Sequence, residues 1–351
     1  MDALDLFQRY NHEQLVFAQD PACGYVGIIA VHDTTIGPAL GGTRLWNYAR
    51  LEDAVVDALR LARGMTYKSA IAGLGLGGGK SVMIGDPKRR DREAMFRAHG
   101  RFVDTLGGRY ITAADVGTGS ADMAFIKLET DHVAGLPGTQ GDPSPVTGYG
   151  VYMAMKAAAK ARWGSDSLAG KRVAVQGAGK VAWFLAEHLH KDGATLLVAD
   201  LDEEKVKRFV AQYRAEPVAP EAIYDVAADV YSPCALGATL NDQTIPRLKA
   251  EIVCGGANNQ LAELRHAEVV EQRGIFYAPD YVANGGGVIN IWGELQGWTV
   301  AQAHDHAAGI YDTVLRVAEV SQREKIPTAL AADRLAEERI KAVAGLRRMV
   351  R

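Results

Sequence analysis

A run of glycines leads into a lysine and a serine in the segment GLGLGGGKS, residues 73–81. Such a run is typical of the loop that wraps nucleotide phosphates, in which a glycine and four further residues precede Gly-Lys-Ser. Counting back from Lys80 puts Leu74 where that glycine should be, and Gly73 and Gly75 miss the position by one residue. The register therefore argues against a phosphate loop, and Lys80 needs another chemical role.

Two more charged residues join Lys80 in a candidate catalytic set. Lys68 lies twelve residues earlier, and Asp115 follows a predicted strand in YITAADVGTG. A lysine buried among glycines and near a second cation has a lowered pKa and can act as a general base at neutral pH. A lysine that stays charged can hold a carboxylate, and an aspartate can exchange a proton with an amine. Solvated lysines and a capping aspartate would show the same residue types, so both interpretations stay open on residue types alone.

A glycine turn between a predicted strand and a predicted helix indicates a dinucleotide site. The strand RVAVQ leads into residues 177–182, a G-x-G-x-x-A turn whose glycines allow a tight turn and close approach of a pyrophosphate. The helix that follows offers free N–H groups to that charge. The next strand ends at Asp200, where an acid accepts hydrogen bonds from ribose hydroxyls. Since no arginine is nearby to neutralise a 2′-phosphate, the pattern favours NAD over NADP.

The elements around these residues predict an α/β fold with two domains. A segment rich in glycine and proline at 135–150 predicts a loop or hinge. Before it, the chain holds the strand GYVGIIAVHD and the helix LEDAVVDALRLARGM. Helical periodicity places on one face of that helix Ala54, Val55, Ala58, Leu59 and Ala62. After the predicted loop, short apolar runs alternate with helices, as in a parallel sheet with crossover helices. We expect an N-terminal substrate and oligomerisation domain at 1–135 and a doubly wound, Rossmann-type dinucleotide domain at 136–329, with the site in a cleft between them. A C-terminal helix at about 330–351 should pack back on the first domain.

Composition limits the function classes. With 48% hydrophobic residues, 23% charged residues and a net charge of −3, the chain resembles a globular protein without a nucleic-acid or anionic-membrane partner. No apolar run reaches the length of a membrane span. The three cysteines, Cys23, Cys234 and Cys254, lie far apart, which predicts neither a disulfide framework nor a zinc cluster and favours the cytoplasm.

Several motifs resemble those of the glutamate/leucine/phenylalanine/valine dehydrogenase family. The segment LGLGGGKSVMIGDP is similar to the family signature around its catalytic lysine, and GPALGGTRLW, PSPVTGYGVYMAMKAAA, SPCALGATLN, GGANNQL and YVANGGGVIN match in order and spacing. The resemblance implies that an L-amino acid, NAD⁺ and water give a 2-oxo acid, ammonium and NADH. Hydride leaves the amino-acid Cα, and water hydrolyses the resulting imine.

The resemblance also implies a role for each matching residue. Lys68 would bind the substrate carboxylate, Lys80 would activate the attacking water, and Asp115 would handle the amine proton, while the glycines let substrate and nicotinamide approach Lys80. The other positions implied in substrate binding are Leu40, Gly41, Gly42, Met65, Ala113, Asn259, Val288 and Ile291. Those implied in cofactor binding are Thr147, Gly177, Gly179, Lys180, Val181, Asp200, Cys234, Ala235, Asn258 and Asn284.

The implied side-chain pocket separates the candidate substrates. Glutamate members of the family place a lysine in GPxKGG, where this chain has Leu40, and a buried carboxylate without a partner would cost several kcal/mol. Ala113, Val288 and Ile291 are apolar as well, which suits leucine, isoleucine or valine. Trp292 and Gly286 depart from the leucine members beside this pocket, so phenylalanine or another aromatic amino acid stays open as the alternative.

Two other function classes stay open: a phosphotransferase that uses GGGKS, and a non-catalytic NAD sensor that keeps the fold. The sensor would require loss of a catalytic residue, yet Lys68, Lys80 and Asp115 are all present. No metal site is predicted, because His304 and His306 do not share a helical face. The leucine members continue after AEERI into a longer segment that takes part in a higher oligomer. We therefore expect a homo-oligomer that is at least a dimer, with an octamer in question.

Overall fold

The structure, a computed structural model, describes residues 3–138 and 141–349 and separates the chain into two units, each built on its own sheet. Unit 1 comprises Met1–Gly141, Glu294–Gly297 and Ala336–Arg351, and unit 2 comprises Asp142–Gly293 and Trp298–Leu335. The domain boundaries predicted from the sequence, at residues 135 and 329, lie a few residues before the unit boundaries at Gly141 and Leu335. Residues 350 and 351 of the predicted C-terminal helix lie outside the described residues. Within the described ranges, no helix combines the length and the apolar character that crossing a membrane requires.

Unit 1 contains a mixed five-stranded sheet in the order β1-β2-β4-β3-β5. The strands are β1 (Gln14–Asp20), β2 (Tyr25–Asp33), β3 (Ala39–Trp46), β4 (Gly77–Ile84) and β5 (Tyr110–Ala114). The helices are α1 (Ala3–Arg9), α2 (Leu51–Ile71), α3 (Glu93–Asp104) and α4 (Ser120–Lys127). Strand β4 is antiparallel to β2 and parallel to β3, so it lies in the interior of the sheet.

Helix α2 packs a stripe of small apolar side chains on one face of this sheet. The stripe recurs every three or four residues, as the sequence predicted, and is buried together with the facing side chains of β2 and β4. Its members are Ala54, Val55, Ala58, Leu59 and Ala62. Since four of the five are alanine or valine, the helix can lie close to the strands.

The opposite face of the sheet holds a buried polar cluster, here called the hydroxyl layer. It comprises Tyr25, Thr43, Ser81, His99, Tyr110 and Thr112. Oγ1 of Thr43 lies 2.6 Å from Oγ of Ser81 and 3.0 Å from Nε2 of His99. The hydroxyl of Tyr110 donates to the carbonyl of Gly41 at 2.6 Å. Side chains therefore join β3, β4, β5 and α3 in addition to the backbone ladder.

Unit 2 contains a parallel six-stranded sheet in the order β11-β10-β9-β6-β7-β8. Its strands are β6 (Arg172–Gln176), β7 (Thr195–Ala199), β8 (Glu216–Pro217), β9 (Val230–Pro233), β10 (Ile252–Val253) and β11 (Phe276–Tyr277). The helices of this part of the chain are α5 (Ser144–Trp163), α6 (Lys180–Lys191), α7 (Glu203–Tyr213), α8 (His266–Gln272), α9 (Asp280–Ala283), α10 (Gly286–Gln296), α11 (Val300–Ala308), α12 (Ile310–Glu324) and α13 (Thr328–Met349). Unit 2 includes α10 up to Gly293 and α13 up to Leu335. Counted within the unit, the strand order is 6-5-4-1-2-3, that of a doubly wound dinucleotide fold. The predicted α/β fold class is confirmed.

The loop predicted at 135–150 ends earlier than expected, since α5 begins at Ser144 and includes its last two glycines. A Cβ on Gly148 would lie 2.8 Å from the backbone nitrogen of Leu185 in α6. That glycine is required by close packing of two helices, not by a turn. The loop prediction is therefore wrong over 144–150, because glycine serves close packing as well as turns.

Two chain segments far along the sequence belong to unit 1. The carboxylate of Glu294 accepts hydrogen bonds from the backbone nitrogens of Gly135 and Leu136, at 3.0 and 3.4 Å to Oε1. In α13, Glu337 accepts a 3.0 Å hydrogen bond from the hydroxyl of Tyr67. The part of α13 that begins at Ala336 thus contacts α2 through Glu337. Residues 294–297, which the sequence assigned to the dinucleotide domain, lie in unit 1.

Candidate active site

Lys80 lies in the middle of β4, an extended strand with sequence GGGKSVMI whose residues are buried up to Met83. The backbone of Lys80 pairs with Ala30 of β2 on one side, and β3 runs along the other side. The residue is only 4% exposed. The glycine-rich segment is thus an interior strand and not a phosphate-binding loop, in agreement with the mismatch in its register.

Glycines around Lys80 occupy positions where no side chain fits. A Cβ on Gly41 would overlap the carbonyl oxygen of Gly79, and one on Gly78 would overlap the backbone nitrogen of Thr66 in α2. A Cβ on Gly42 would lie 2.6 Å from the carbonyl oxygen of Ala114. The glycines therefore allow β3, β4 and α2 to approach one another. That they also let substrate and nicotinamide come close to Lys80 stays a prediction.

Strand alternation places several predicted residues on one face of the sheet. In the parallel register of β3 and β4, Leu40 pairs with Gly78, so the side chain of Lys80 points to the same face as that of Leu40. Ala113 of β5 pairs with Gly42 and joins that face. Leu40 is 2% exposed and Ala113 7% exposed. The face that α2 covers therefore carries the lysine beside two buried apolar side chains.

Helix α2 carries the remaining predicted residues of unit 1. Met65 and Lys68 lie in its C-terminal half, and both are half-buried. They are three positions apart and so lie on neighbouring positions of the helix surface. The same part of α2 contributes the backbone of Thr66, which approaches Gly78. The sequence-predicted residues of unit 1 thus lie on α2, on the three strands β3, β4 and β5, and directly after β5 in the case of Asp115.

Lys80 is the first member of a chain of charged side chains, here called the charge chain. Nζ of Lys80 lies 3.0 Å from Oδ2 of Asp115. Nε of Arg44 donates to the same oxygen at 2.9 Å, and its Nη1 donates to Oδ2 of Asp57 at 2.7 Å. The hydroxyl of Tyr48 also donates to Asp57. Two cations and two anions therefore alternate from the interior of the sheet toward the surface.

Burial and charge move the pKa values of the inner pair in opposite ways. Burial lowers the pKa of the Lys80 ammonium and the charge of Arg44 adds to this, while Asp115 opposes it without reversing it. Burial by itself would raise the pKa of Asp115, but the charges of Lys80 and Arg44 lower it below its ordinary value. Asp115 is thus held as a carboxylate, whereas Lys80 is brought closer to the neutral form that a general base needs.

Arg44, Asp57 and Tyr48 are not among the site residues predicted from the sequence. Arg44 lies four positions after Leu40 in one strand, so period-two alternation could have assigned it to the face that carries Lys80. Asp57 comes from α2, and no local pattern shows that this helix covers β3. Its contact with Arg44 depends on tertiary packing.

In unit 2, the glycine turn after β6 has the geometry that a dinucleotide requires. Gly177 has φ +99°, and a Cβ there would lie 2.7 Å from Cβ of Ala235. Beside Gly179 no atom lies within 4 Å of the Cβ position, so space remains open next to the turn. Helix α6 begins at Lys180 and directs its first N–H groups to this side. The side chain of Lys180 pairs with Asp142 at 2.7 Å.

Asp200 follows β7 directly and takes part in the same turn. Its Oδ2 accepts a 2.7 Å hydrogen bond from the backbone of Ala178, and its Oδ1 accepts one from Asp202 at 2.9 Å. Val181 lies beside the turn, where a Cβ on Gly256 would come within 2.7 Å of its Cγ1. The acid and the glycine turn predicted from sequence are therefore in direct contact.

Cys234 directly follows β9, at the carboxyl end of the parallel sheet of unit 2. The backbone nitrogen of Gly256 donates to Sγ of Cys234 at 3.3 Å, and burial raises the pKa of the thiol. A thiol of this kind is a poor nucleophile. The amide of Asn284 donates to Oδ1 of Asn258 at 2.9 Å, while its own Oδ1 is buried without a hydrogen-bond partner among the described residues. A buried oxygen without a partner is suited to accept a hydrogen bond from an N–H or O–H group of a bound ligand.

The other predicted residues of unit 2 lie on α5, on α10 and in one loop. Thr147 in α5 donates to the carbonyl of Pro143 at 2.8 Å, and Asn259 has a left-handed backbone with φ +53°. Val288 and Ile291 are three positions apart in α10 and share a helix face. A Cβ on Gly286 would overlap the carbonyl oxygen of Val146.

That overlap bears on the alternative substrate. Gly286 is one of the two departures from the leucine members that leave an aromatic amino acid open. The space that its missing side chain vacates is instead filled by the backbone of α5, because α10 and α5 pack closely at this position. The glycine therefore supplies no argument for a larger substrate.

Within the described residues, one cluster has the spacing of metal ligands: Asp242, Glu263 and His266. Arg265 forms ion pairs with both carboxylates, at 2.5 and 3.1 Å, which offsets part of their charge. The histidines of α11 contact aromatic rings instead, His304 against Tyr149 and His306 against Trp298. We assign no metal to either group.

Two family models match the chain over nearly its full length. Residues 12–132 match the model described as Glu/Leu/Phe/Val dehydrogenase, dimerisation domain. Residues 138–204 and 195–344 match the model described as Glutamate/Leucine/Phenylalanine/Valine dehydrogenase. The first match covers the sheet with Lys80, and the second covers the glycine turn and the parallel sheet.

Named proteins with similar sequences or structures agree with these matches. A leucine dehydrogenase of Bacillus subtilis (strain 168) is 57% identical over 343 residues, which cover 97% of this chain and 94% of the relative. A valine dehydrogenase of Streptomyces virginiae is 46% identical over 336 residues, 94% of each chain. The crystal structure of L-tryptophan dehydrogenase from Nostoc punctiforme has a TM-score of 0.87 and 42% identity, and covers 97% of this chain and 99% of that one.

Proposed function

The chain belongs to the glutamate/leucine/phenylalanine/valine dehydrogenase family and is a nicotinamide-dependent amino-acid dehydrogenase, and we propose that it oxidises leucine, isoleucine or valine with NAD⁺. The products are the 2-oxo acid, ammonium and NADH, and the reaction is reversible. The observation that carries the substrate choice is Leu40, buried on the same sheet face as Lys80 where glutamate members of the family have a lysine.

The proposed chemistry of unit 1 rests on three charged side chains. Lys68 binds the substrate carboxylate, and Asp115 accepts the amine proton and later returns it. Lys80 in its neutral form takes a proton from the water that attacks the imine, and its lowered pKa makes this form accessible. The buried position of Lys80 in β4 fixes its stem, so the proton moves over a short and defined distance.

The proposed side-chain contacts of the substrate are apolar. They are Leu40 and Ala113 of the sheet face in unit 1, and Val288 and Ile291 of α10 in unit 2. The remaining proposed substrate positions are Gly41, Gly42, Met65 and Asn259. A glutamate side chain would find no cation at Leu40, and burying its carboxylate there costs several kcal/mol. Since Gly286 is packed against α5, the phenylalanine alternative rests on Trp292 alone.

The residues of unit 2 fit a dinucleotide cofactor. The open space beside Gly179 and the N-terminus of α6 suit a pyrophosphate, and the Asp200 carboxylate suits a ribose diol. The buried, unpartnered Oδ1 of Asn284 suits a carboxamide N–H. The other proposed cofactor contacts are Thr147, Gly177, Lys180, Val181, Cys234, Ala235 and Asn258. When bound, NAD⁺ supplies the acceptor for the hydride from the substrate Cα.

A substrate panel tests this proposal. NADH formation is followed by absorbance with L-leucine, L-isoleucine, L-valine, L-phenylalanine, L-tryptophan and L-glutamate at alkaline pH. We expect kcat/KM to be highest for one of the three aliphatic amino acids and lowest for glutamate. A preference for an aromatic amino acid would overturn the substrate assignment, and turnover of none of the six would overturn the activity.

Assembly and location follow as further proposals. We propose a homo-oligomer that is at least a dimer, since the model matched by residues 12–132 is described as a dimerisation domain. Light scattering of the purified protein measures the number of copies, and a monomer at micromolar concentration would contradict this. The cysteines Cys23, Cys234 and Cys254 are free thiols, which supports a reducing compartment such as the cytoplasm.

A further inference from the structure

One carboxylate oxygen, Oδ2 of Asp115, accepts from two cations at nearly the same distance. Lys80 lies at 3.0 Å and Arg44 at 2.9 Å. The Lys80 side chain is 5% exposed, whereas those of Arg44 and Asp115 are 22% and 25% exposed. The arginine therefore approaches the carboxylate from the more solvated side, and it keeps its charge at every pH at which the enzyme works.

The proposed mechanism requires Lys80 to lose a proton, and the pairing of Asp115 with Arg44 makes this loss less costly. Without Arg44, a neutral Lys80 would leave the largely buried carboxylate of Asp115 with no cation, which is costly. That cost would oppose deprotonation and raise the pKa of Lys80. With Arg44 in place, Oδ2 keeps a charged donor before and after Lys80 loses its proton.

We propose that Arg44 is a positioning residue for the reaction, which keeps Asp115 paired and oriented and thereby lets Lys80 act as a neutral base. The inference rests on the roles proposed above for Lys80 and Asp115. Arg44 acts through these two side chains and is not proposed to contact the substrate.

Arg44 is itself held in one orientation. Its Nε donates to Asp115 and its Nη1 to Asp57, so the planar guanidinium bridges two carboxylates with fixed directions. Asp57 also accepts from the hydroxyl of Tyr48. A lysine at position 44 could supply the charge but could not bridge both carboxylates in this way.

The charged groups that face Lys80 come from three elements. Arg44 comes from β3, Asp57 from α2 and Asp115 from the end of β5. Across the sheet, burial lowers the pKa of His99 to about 3 and raises that of Tyr110 to about 12, so both are uncharged at neutral pH.

Three other charged residues of α2 complete the surroundings. Asp53 and Arg60 line the same surface pocket as Arg44 and Asp57, farther from Lys80. Lys68, in the last turn of α2, is proposed to carry the substrate carboxylate, which offsets its charge.

The test compares Arg44→Gln and Arg44→Lys with the wild type. Because Arg44 lowers the pKa of Lys80, removal of its charge in Arg44→Gln should move the acidic limb of the kcat/KM profile to higher pH. We expect kcat/KM for leucine to fall by about tenfold or more near pH 8 and to recover in large part near pH 10. Arg44→Lys keeps a cation, so its limb should stay near that of the wild type while kcat falls severalfold.

A matched control is Arg97→Gln, which removes an exposed arginine that pairs with Glu129 in the same unit. Its profile should coincide with that of the wild type. A uniform fractional loss in Arg44→Gln at all pH values would overturn the proposal, since a merely structural role reduces activity without moving the limb. Thermal unfolding of each variant shows that it is folded.

If Arg44→Gln does not fold, Arg44→Lys carries the test, since a lysine keeps the cation but cannot bridge Asp115 and Asp57. We expect its kcat to fall severalfold while its limb stays near that of the wild type. An unchanged kcat would overturn the proposal, because it would show that the reaction does not need the orientation that Arg44 provides.

A titration without turnover separates this inference from the proposed function. NMR of ¹³C-labelled lysine side chains, with Lys80 assigned by its loss in Lys80→Ala, reports the ionisation directly. A shifted Lys80 titration in Arg44→Gln supports the role of Arg44 even if the substrate panel fails, and an unshifted one overturns it even if the panel succeeds.

Discussion

The backbone N–H of Ala178 donates a 2.7 Å hydrogen bond to Oδ2 of Asp200, which joins the glycine turn to the end of the neighbouring strand. The acid expected to bind ribose therefore also stabilises the loop that would hold the pyrophosphate. Its other oxygen accepts from Asp202. A change at Asp200 must then affect the shape of the turn as well as the choice of cofactor.

We expect NAD⁺ to be preferred over NADP⁺ in kcat/KM, because a 2′-phosphate near Asp200 would meet a like charge, at a cost of several kcal/mol. Asp200→Ser should reduce this preference by about tenfold or more, and should also raise the KM for NAD⁺ because the turn loses its bond. Glu203→Gln, an exposed acid in the first turn of α7, is the control and should change neither value appreciably. Equal use of both cofactors by the wild type would contradict the assignment.

Lys80→Ala should reduce kcat by roughly 10²–10⁴, the usual contribution of a positioned acid or base. The KM for leucine should change less, because Lys68 is proposed to hold the substrate carboxylate. Lys88→Ala removes an exposed lysine from the segment after β4 and should leave kcat unchanged. A Lys80→Ala enzyme with more than about a tenth of the wild-type kcat would be incompatible with the proposed base.

Leu40→Lys should strongly depress the turnover of leucine, since an unpaired ammonium on the buried sheet face is costly. Some activity on glutamate is expected, although a full change of substrate would need further partners for the carboxylate. Leu40→Met, of similar volume and equally apolar, should retain most of the activity on leucine. If Leu40→Lys turned over leucine as the wild type does, Leu40 would not line the pocket.

Stability should fall in acid because of two buried histidines. Burial lowers the pKa of His32 and of His99 to about 3, whereas the unfolded chain has the ordinary value near 6.5. Between these values the unfolded chain binds protons that the folded protein cannot. The free energy of unfolding should therefore decrease as the pH falls from about 6.5 toward about 3, by up to about 1.4 kcal/mol per pH unit for each histidine.

Urea unfolding at several pH values measures this slope. His99→Gln should lower the stability at pH 7, since hydrogen bonds of the hydroxyl layer are lost, and should make the pH dependence shallower. His190→Gln, at an exposed position, should leave the slope as it is. An identical slope in His99→Gln and the wild type would show that His99 does not cause the acid sensitivity.

Local patterns in the sequence were sufficient for much of the fold. The stripe from Ala54 to Ala62 predicted the buried face of α2, and the turn after RVAVQ predicted the boundary between β6 and α6. Both depend on residues close in sequence, where helical periodicity and glycine geometry determine the structure directly. The two-residue strand β8 was missed, because its pairing with β7 has no local signal.

Contacts between distant segments could not be predicted in the same way. That β3 lies between β4 and β5 follows from tertiary packing, and this order brings Arg44 beside Asp115, 71 residues away in sequence. The role of Gly148 was likewise hidden, since close helix packing and turns use the same residue. Residue types thus predicted Lys80 and Asp115 as catalytic candidates. Arg44, which we propose keeps Asp115 paired, could be identified only from the structure.

The backbone contacts at Gly41 and Gly78 also have a consequence for directed evolution. Every amino-acid substitution at either position adds a side chain where backbone atoms already lie, so saturation libraries there should return almost entirely misfolded clones. Leu40 and Ala113 already carry side chains on the same sheet face. Under the proposed function, we therefore expect variants with a changed substrate range to arise at these two positions and not at the two glycines.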